Sequence, residues 1–173
     1  MSEGRVLYAG HDHAHVLRYV GDVRHSLAPS VTGFVDALLD REPDAELLFD
    51  FSQAEIIDST NLGAIARIAD RVTTSNGKRV TIFSPRAEIT QVLFSMAFDE
   101  VFDICTEGTP GAGGAPIPRI DASREASSQT VLLAHQRLMQ MNESNREQFR
   151  ELVELMEREL ASADEDENRR AKS

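Results

Sequence analysis

The chain has 173 residues, 41% of them hydrophobic, which suffices for one ordinary domain with an extension. Acidic residues number 29 against 18 Lys and Arg, and the resulting formal net charge of -11 argues against nucleic-acid binding. No apolar run approaches the ~20 residues of a membrane span, and no basic-then-apolar leader opens the chain. We therefore expect a cytoplasmic protein without membrane insertion. The single cysteine, Cys105, excludes an internal disulfide framework and lies in an apolar pattern that predicts burial.

Two apolar runs near the N-terminus, residues 5–9 and 15–20, predict a β-hairpin. Its turn region carries three histidines, His11, His13 and His15. No carboxylate or cysteine stands at a recognisable ligand spacing from them, so they do not predict a metal site.

Strand and helix patterns then alternate along the chain. They predict a helix over 29–40, a strand over 46–50, a helix over 59–74, a strand over 79–84, a helix from about 85 and a strand over 101–105. This order predicts an α/β fold, a mixed and mostly parallel sheet flanked by helices. The junction between the third strand and the second long helix then lies at the carboxyl edge of the sheet, where α/β folds place functional loops.

That junction reads Asp-Ser-Thr-Asn-Leu-Gly, from Asp58 to Gly63. Asp and Ser are common at a helix start, where their side-chain oxygens accept hydrogen bonds from free backbone amides. The positive end of a helix dipole also favours a phosphate. From the residues alone, Ser59 is either a capping hydroxyl or a site that carries phosphate.

The same six residues resemble the Asp-Ser-Ser/Thr-Gly-Leu-Gly signature of STAS domains, the bacterial anti-sigma factor antagonists. Residues 20–24 and 95–104 resemble the family's second strand and its last helix-to-strand passage, so the resemblance covers about 5–106. Within the family the chain looks most like the pseudomonad-type antagonist of the HptB pathway, which controls flagellar and biofilm programmes. Two residues depart from the family pattern. Asn61 replaces a glycine, and Asn is the residue that, after Gly, best tolerates a left-handed or bridge conformation. Arg24 replaces an acidic residue.

The resemblance implies that Ser59, the first hydroxyl residue after the Asp, is phosphorylated by a serine kinase and dephosphorylated by a phosphatase. The unphosphorylated form would capture an anti-sigma factor. Its partner-binding surface would comprise Arg24, Asp58, Ser59, Thr60 and Asn61.

Motifs of catalysis are missing from the sequence. It has no Gly-x-Ser-x-Gly elbow, no phosphate-binding loop with Lys and no His-Glu-x-x-His, and its histidines stand far from Ser59 along the chain. We therefore expect a binding module rather than an enzyme, without cofactor or metal. The alternative is a non-phosphorylated STAS subunit that binds the ATPase of a lipid-transport ABC complex.

A Gly- and Pro-rich segment at 108–121 predicts a linker after a STAS domain at 1–107. Residues 122–162 predict one long amphipathic helix, with an apolar stripe that repeats every eleven residues through Leu138, Phe149 and Leu160. The charged segment 163–173 is expected to be disordered. The stripe leaves two alternatives open: the helix folds back onto its own domain, or it forms a homodimer or partner-docking element.

Overall fold

The computed structural model describes residues 2–108, 111 and 113–172. Six strands form one sheet in the order β5-β4-β3-β2-β1-β6, with β1 at Arg5–His11, β2 at Ala14–Val23, β3 at Glu46–Ile57, β4 at Thr81–Phe83, β5 at Asp103–Cys105 and β6 at Ala115–Pro116. Strands β2 to β5 run parallel, and β1 is antiparallel to both of its neighbours. The predicted mixed, mostly parallel sheet is confirmed.

The described residues form six α-helices beside the sheet: α1 at Ala28–Arg41, α2 at Ser59–Asn76, α3 at Ala87–Ser95, α4 at Phe98–Val101, α5 at Arg124–Met139 and α6 at Glu143–Ala171. Pro29 stands in the first turn of α1, where its missing N–H costs nothing. Gly77 ends α2 in the left-handed conformation that favours glycine at a helix C-terminus. These signals account for the good agreement between the predicted and observed positions of α1 and α2.

The hydrophobic core lies between the sheet and its flanking helices. Tyr19, Phe49 and Phe51 are fully buried on the sheet, and the Tyr19 and Phe51 rings meet edge to face with centroids 5.3 Å apart. Val35 of α1 and Ile65 of α2 are buried in the same cluster. This packing fixes the helix starts relative to the strand ends that precede them.

The C-terminal region differs from the single helix expected over 122–162. The chain turns after α5 and returns as α6, so that the two helices form a hairpin. Asn142 causes the break, because its side chain accepts a hydrogen bond from the backbone N–H of Asn145 at 2.7 Å and so starts a new helix. The side-chain amide of Asn145 in turn donates to the carbonyl of Leu138, at 2.9 Å, and closes the turn.

The helical hairpin folds back onto its own domain. Helix α5 packs against α2, and Leu138 and Phe149 belong to the main hydrophobic cluster. This answers the open question for α5. Residues 163–171, expected to be disordered, continue α6 as helix.

The described part of the 108–121 segment also packs on the domain rather than hanging free. It supplies β6, and Ile117 is only 6% exposed. The Arg18 guanidinium, buried beside Asp50, donates to the backbone carbonyls of Gly111 and Gly113. These contacts do not test the domain boundaries at 107 and 121, which stay a prediction.

Cys105, predicted to be buried, ends β5 and is exposed. Its strand lies at the edge of the sheet, so only one side of it has a strand neighbour.

Candidate functional site

The candidate site is the β3–α2 junction, together with the residues that follow β2. Because β2 and β3 are parallel neighbours, with Val23 opposite Ile57, the chain leaves both strands side by side. Arg24 and Asp58 are the next residues on the two strands. The topology thus brings together two of the residues predicted from sequence to lie at one surface.

Asp58 is the N-cap of α2. Its backbone is extended, with φ -84° and ψ 165°, and its Oδ1 atom accepts from the backbone N–H of Asn61 at 3.0 Å. This bond satisfies one of the free amides at the helix start. The cap fixes the direction in which the first residue of the helix, Ser59, leaves the sheet.

Asn61 lies in helical geometry, so its tolerance of a left-handed backbone is not used here; among the described residues other than glycine, only Asp12 and Ala97 have a positive φ. Its side chain is fully buried. The side-chain amide donates to the carbonyl of Arg24 at 2.8 Å and to Asp58 Oδ1 at 2.9 Å. Asn61 therefore joins the end of β2 to the start of α2, a role that a glycine could not perform.

Arg24 supplies the positive charge at this edge. Its guanidinium is 57% exposed and contacts both carboxylate oxygens of Asp22, with Nε–Oδ1 at 2.7 Å and Nη2–Oδ2 at 2.8 Å. The hydrogen bond that Arg24 donates to Asp22 raises the pKa of Arg24 above its ordinary value, and Asp58 adds a smaller electrostatic contribution. Arg24 is the member of the predicted surface that is most accessible to a partner.

Two hydroxyl residues follow the cap, and the structure separates them. Ser59 is partly buried, whereas Thr60 is only 5% exposed. A modifying enzyme must reach the hydroxyl oxygen, so Ser59 is the better placed acceptor. With Asn61 fully buried as well, the side chains available at this edge are Arg24, Asp58 and Ser59.

A histidine from the C-terminal hairpin contacts Ser59. His135 of α5 is 3% exposed, and its Nε2 atom lies 2.9 Å from Ser59 Oγ. Its Nδ1 atom lies 2.7 Å from the carbonyl oxygen of Val131. A carbonyl only accepts, so we assign the proton to Nδ1, and in the neutral ring Nε2 accepts from the Ser59 hydroxyl.

Sequence reasoning missed His135, because it found no histidine near Ser59. The two residues are 76 positions apart, and nothing local to either one signals the contact. The only sequence clue was the apolar stripe through Leu138, three residues beyond His135 on the same helix, which indicated that this part of the helix is covered. A serine beside a histidine also occurs in hydrolases, where a substrate cavity adjoins the pair.

Two clefts lie elsewhere on α2. An apolar groove of about 170 Å³ between the end of β3 and α3 is lined by Glu55, Ile56, Ile57, Leu62, Glu88, Ile89, Val92 and Leu93. A more polar cleft of about 390 Å³ lies between α1, α2 and α5. Neither cleft is lined by Ser59 or His135, so the Ser–His pair does not face either of them.

The three histidines of the first hairpin do not converge. His11 and His13 are exposed, while His15 is buried between the Tyr8 hydroxyl, at 2.8 Å, and Glu42, at 2.9 Å. Within the described residues, no group of three or more His, Cys, Asp or Glu side chains is arranged to hold a metal ion. In the same part of the chain, no helix has both the length and the apolar composition needed to cross a membrane.

Residues 5–108 match the family model described as STAS domain. No curated protein matches the chain by sequence. Among solved structures, a putative anti-sigma factor antagonist from Thermotoga maritima is 24% identical, with a TM-score of 0.51 over 57% of this chain and 84% of that one.

Two structures of the anti-sigma factor antagonist SpoIIAA are also similar. The unphosphorylated form is 12% identical, with a TM-score of 0.51 over 60% of this chain and 89% of that one. The phosphorylated form, from Bacillus, is 13% identical, with a TM-score of 0.50 over 59% and 92%. At these identities the likeness establishes the fold of the first hundred residues.

Proposed function

The chain belongs to the STAS-domain family. We propose that it is an anti-sigma factor antagonist whose affinity for its partner is switched by phosphorylation of Ser59. In this proposal the unphosphorylated protein binds and sequesters an anti-sigma factor. A serine kinase adds the phosphate and a phosphatase removes it. The protein acts through binding rather than catalysis, in the cytoplasm.

The observation that carries the proposal is the position of the Ser59 hydroxyl. It stands on the first residue of α2, directly after the Asp58 cap and at the same sheet edge as the exposed Arg24. A helix of 18 residues presents a partial positive charge at this end, which tolerates a phosphate. The neighbouring Thr60 hydroxyl is buried, which supports Ser59 as the modified residue.

Phosphorylation would add negative charge to this edge of the sheet. A phosphoserine carries about 1.5 to 2 negative charges at neutral pH, on a chain whose net charge is already -11. A partner surface that fits the uncharged hydroxyl must then bury an unpaired charge, which costs roughly 2–5 kcal/mol. That cost corresponds to an affinity loss of tens-fold to thousands-fold.

Affinity capture with the full chain, followed by phosphopeptide mapping, tests the proposal. We expect an anti-sigma factor among the captured proteins and phosphate on Ser59 in part of the cellular pool. Capture of an ABC-transporter ATPase instead, with Ser59 unmodified, would favour the non-phosphorylated STAS subunit. Phosphate found on Thr60 or Ser84, with Ser59 clean, would contradict the site assignment.

Variants of Ser59 test the switch itself. Ser59→Asp should weaken capture of the anti-sigma factor, and Ser59→Ala should bind like the unphosphorylated protein. Ser75→Asp is the matched control, since it adds the same charge to an exposed position at the other end of α2, about 24 Å away along the helix axis. Equal affinities of wild type, Ser59→Asp and Ser59→Ala would reduce Ser59 to a structural role.

The pathway is a finer part of the same proposal. The resemblance to pseudomonad antagonists of the HptB pathway supports a role in motility and biofilm control. Deleting the gene and restoring it with Ser59→Ala or Ser59→Asp should shift swimming and surface attachment in opposite directions. Unchanged motility and attachment in all three strains would assign the switch to another programme.

A further inference from the structure

The helix that covers Ser59 belongs to the same chain, and this arrangement has a regulatory consequence that rests on the proposed function. We propose that α5 guards Ser59: the C-terminal hairpin and a protein partner exclude one another at the start of α2, and His135 is the residue that ties the hairpin to the hydroxyl. An anti-sigma factor or a kinase then reaches Ser59 only in molecules in which α5 has moved away.

The first support is the Ser59–His135 hydrogen bond. It joins the candidate phosphorylation site to a side chain that is 3% exposed and held from behind by the carbonyl of Val131. The His135 ring also packs edge to face on Phe149 of α6, with centroids 5.0 Å apart. Both helices of the hairpin therefore hold the imidazole in the position where it contacts the Ser59 hydroxyl.

The second support is the closeness of the two helix backbones. A β-carbon added to Gly63 would lie 2.6 Å from the carbonyl carbon of Ala134, so no layer of side chains or solvent separates α2 from α5 at this point. Gly63 is one turn from Ser59, and Ala134 immediately precedes His135. A partner that approaches this face of α2 meets α5 first.

The third support is the attachment of α5 through a charge pair away from Ser59. Arg137 contacts both oxygens of Asp70 on α2, with Nε–Oδ2 at 2.5 Å and Nη2–Oδ1 at 2.9 Å. The Arg137 side chain is 16% exposed. This ion pair can be changed by mutation without altering Ser59 or His135.

The hydrogen bond also requires a free hydroxyl. With its proton on Nδ1, the neutral His135 ring offers only an acceptor to Ser59. A phosphoserine dianion has no proton to donate and is much larger than a hydroxyl. Phosphorylation of Ser59 therefore removes the hydrogen bond through which this tautomer of His135 ties α5 to the hydroxyl.

Thiol labelling of the full chain tests the guard without any partner. Ser59→Cys in a Cys105→Ser background places one thiol at the site, and N-ethylmaleimide reports its accessibility. Asp70→Arg, which sets two arginines against each other, should speed labelling about tenfold, because reaction through an opened state scales with its population. The urea-unfolded protein gives the rate of the uncovered thiol.

Two further variants separate opening of the hairpin from general damage. The swap of Asp70→Arg with Arg137→Asp restores opposite charges and should return labelling to the slow rate. Asp103→Arg breaks the pair between Arg79, which precedes β4, and Asp103 of β5, whose Nε and Oδ1 atoms are 2.8 Å apart, and it should leave labelling slow. Labelling at the unfolded rate in the parent protein, or no acceleration by Asp70→Arg, would overturn the guard.

The competition is then measured with native Ser59 and the anti-sigma factor captured as described above. Asp70→Arg should bind it about tenfold more tightly, by the same population argument, and the swap should restore the parent affinity. Faster labelling without tighter binding would refute competition at Ser59. If no anti-sigma factor is captured, the proposed function fails, while the labelling rates still decide whether α5 covers this serine.

Discussion

Gly63 in α2 and Ala134 in α5 meet backbone to backbone, and this contact sets the distance between the domain and its C-terminal hairpin. A β-carbon at position 63 would lie 2.6 Å from the Ala134 carbonyl carbon and 2.8 Å from its α-carbon. Gly63→Ala should therefore destabilise the protein by about 1–3 kcal/mol through overpacking. The ~1 kcal/mol that alanine gains as a helix former offsets only part of this. Thermal unfolding measures the loss, and hydrogen exchange should show it concentrated in α5.

Gly33→Ala is the control for this prediction. Gly33 is also within a helix, α1, but its added β-carbon would meet only the terminal methyl of Ile120, at 3.0 Å. That methyl ends a flexible side chain and can move, so the variant should be neutral or slightly more stable. Equal destabilisation by both changes would mean that the α2–α5 contact is not limiting.

Asn61→Gly restores the residue common in the family and should nevertheless destabilise this protein. The change removes the bonds from the buried side chain to the Arg24 carbonyl and to Asp58. The Arg24 carbonyl still accepts from the Leu27 N–H, and Asp58 Oδ1 still accepts from the backbone N–H of residue 61. The lost side-chain bonds therefore cost roughly 0.5–1.5 kcal/mol, and glycine inside a helix adds up to ~1 kcal/mol. Asn61→Ala separates the two effects, because it loses the same bonds without the glycine penalty. A more stable Asn61→Gly variant would show that the Asn61 bridge has no net value.

Asp50 carries the negative charge of a buried ion pair with Arg18, whose Nε lies 2.6 Å from Oδ2. Asp50→Ala leaves the guanidinium buried without its counter-charge, so we expect a loss of about 3–5 kcal/mol in denaturant unfolding. The double change Arg18→Met with Asp50→Leu should lose less. As a surface comparison, Asp36→Ala removes an exposed partner of Arg71 and should cost at most about 1 kcal/mol. Similar losses at both aspartates would contradict the prediction.

The two tyrosines should respond in opposite directions to removal of their hydroxyls. The Tyr19 hydroxyl is buried and has no hydrogen-bond partner among the described residues, so Tyr19→Phe should be neutral or stabilising, by up to about 1–3 kcal/mol. The Tyr8 hydroxyl bonds to His15 at 2.8 Å, so Tyr8→Phe should lose about 0.5–1.5 kcal/mol. Chemical denaturation of the two variants at pH 7 compares them directly.

Burial also raises the pKa of Tyr19 in the folded protein. A group whose folded pKa lies above its unfolded value stabilises the fold below the unfolded value, about 10 for tyrosine, and loses that contribution as the pH rises further. Wild-type stability should therefore fall above about pH 10, more steeply than that of Tyr19→Phe. Parallel stability curves for the two proteins between pH 9 and 11 would refute this.

Local patterns predicted the sheet and its first helices because those elements carry their own signals. Pro29 starts α1, Gly77 ends α2, and the apolar strands alternate with the helices. The sequence does not reveal the break at Asn142, because the eleven-residue periodicity continues through it and no Gly or Pro interrupts the run. The capping asparagine is the only local signal of the break. The periodicity itself was partly informative, since Leu138 and Phe149 are buried.

The site was predictable only in its local part. Asp58 and Ser59 are neighbours in sequence, and a strand followed by a helix places them at a helix start. The bond from Asn61 to Arg24 depends on the parallel pairing of β2 with β3, and His135 depends on how a distant hairpin packs. Contacts of this kind follow from tertiary packing, and no residue pattern near either partner encodes them.

Strand β6 limits how two copies of this chain can associate. It pairs with β1 through Ala115 and Pro116 and so occupies part of an edge that would otherwise offer unpaired backbone groups. Pro116 has no N–H to donate to a further strand. Sheet-to-sheet polymerisation, the usual hazard of an open edge, is therefore blocked along this stretch. A Gly- and Pro-rich segment that is typical of a spacer thus also reduces the number of unpaired backbone groups that this edge offers to a second chain.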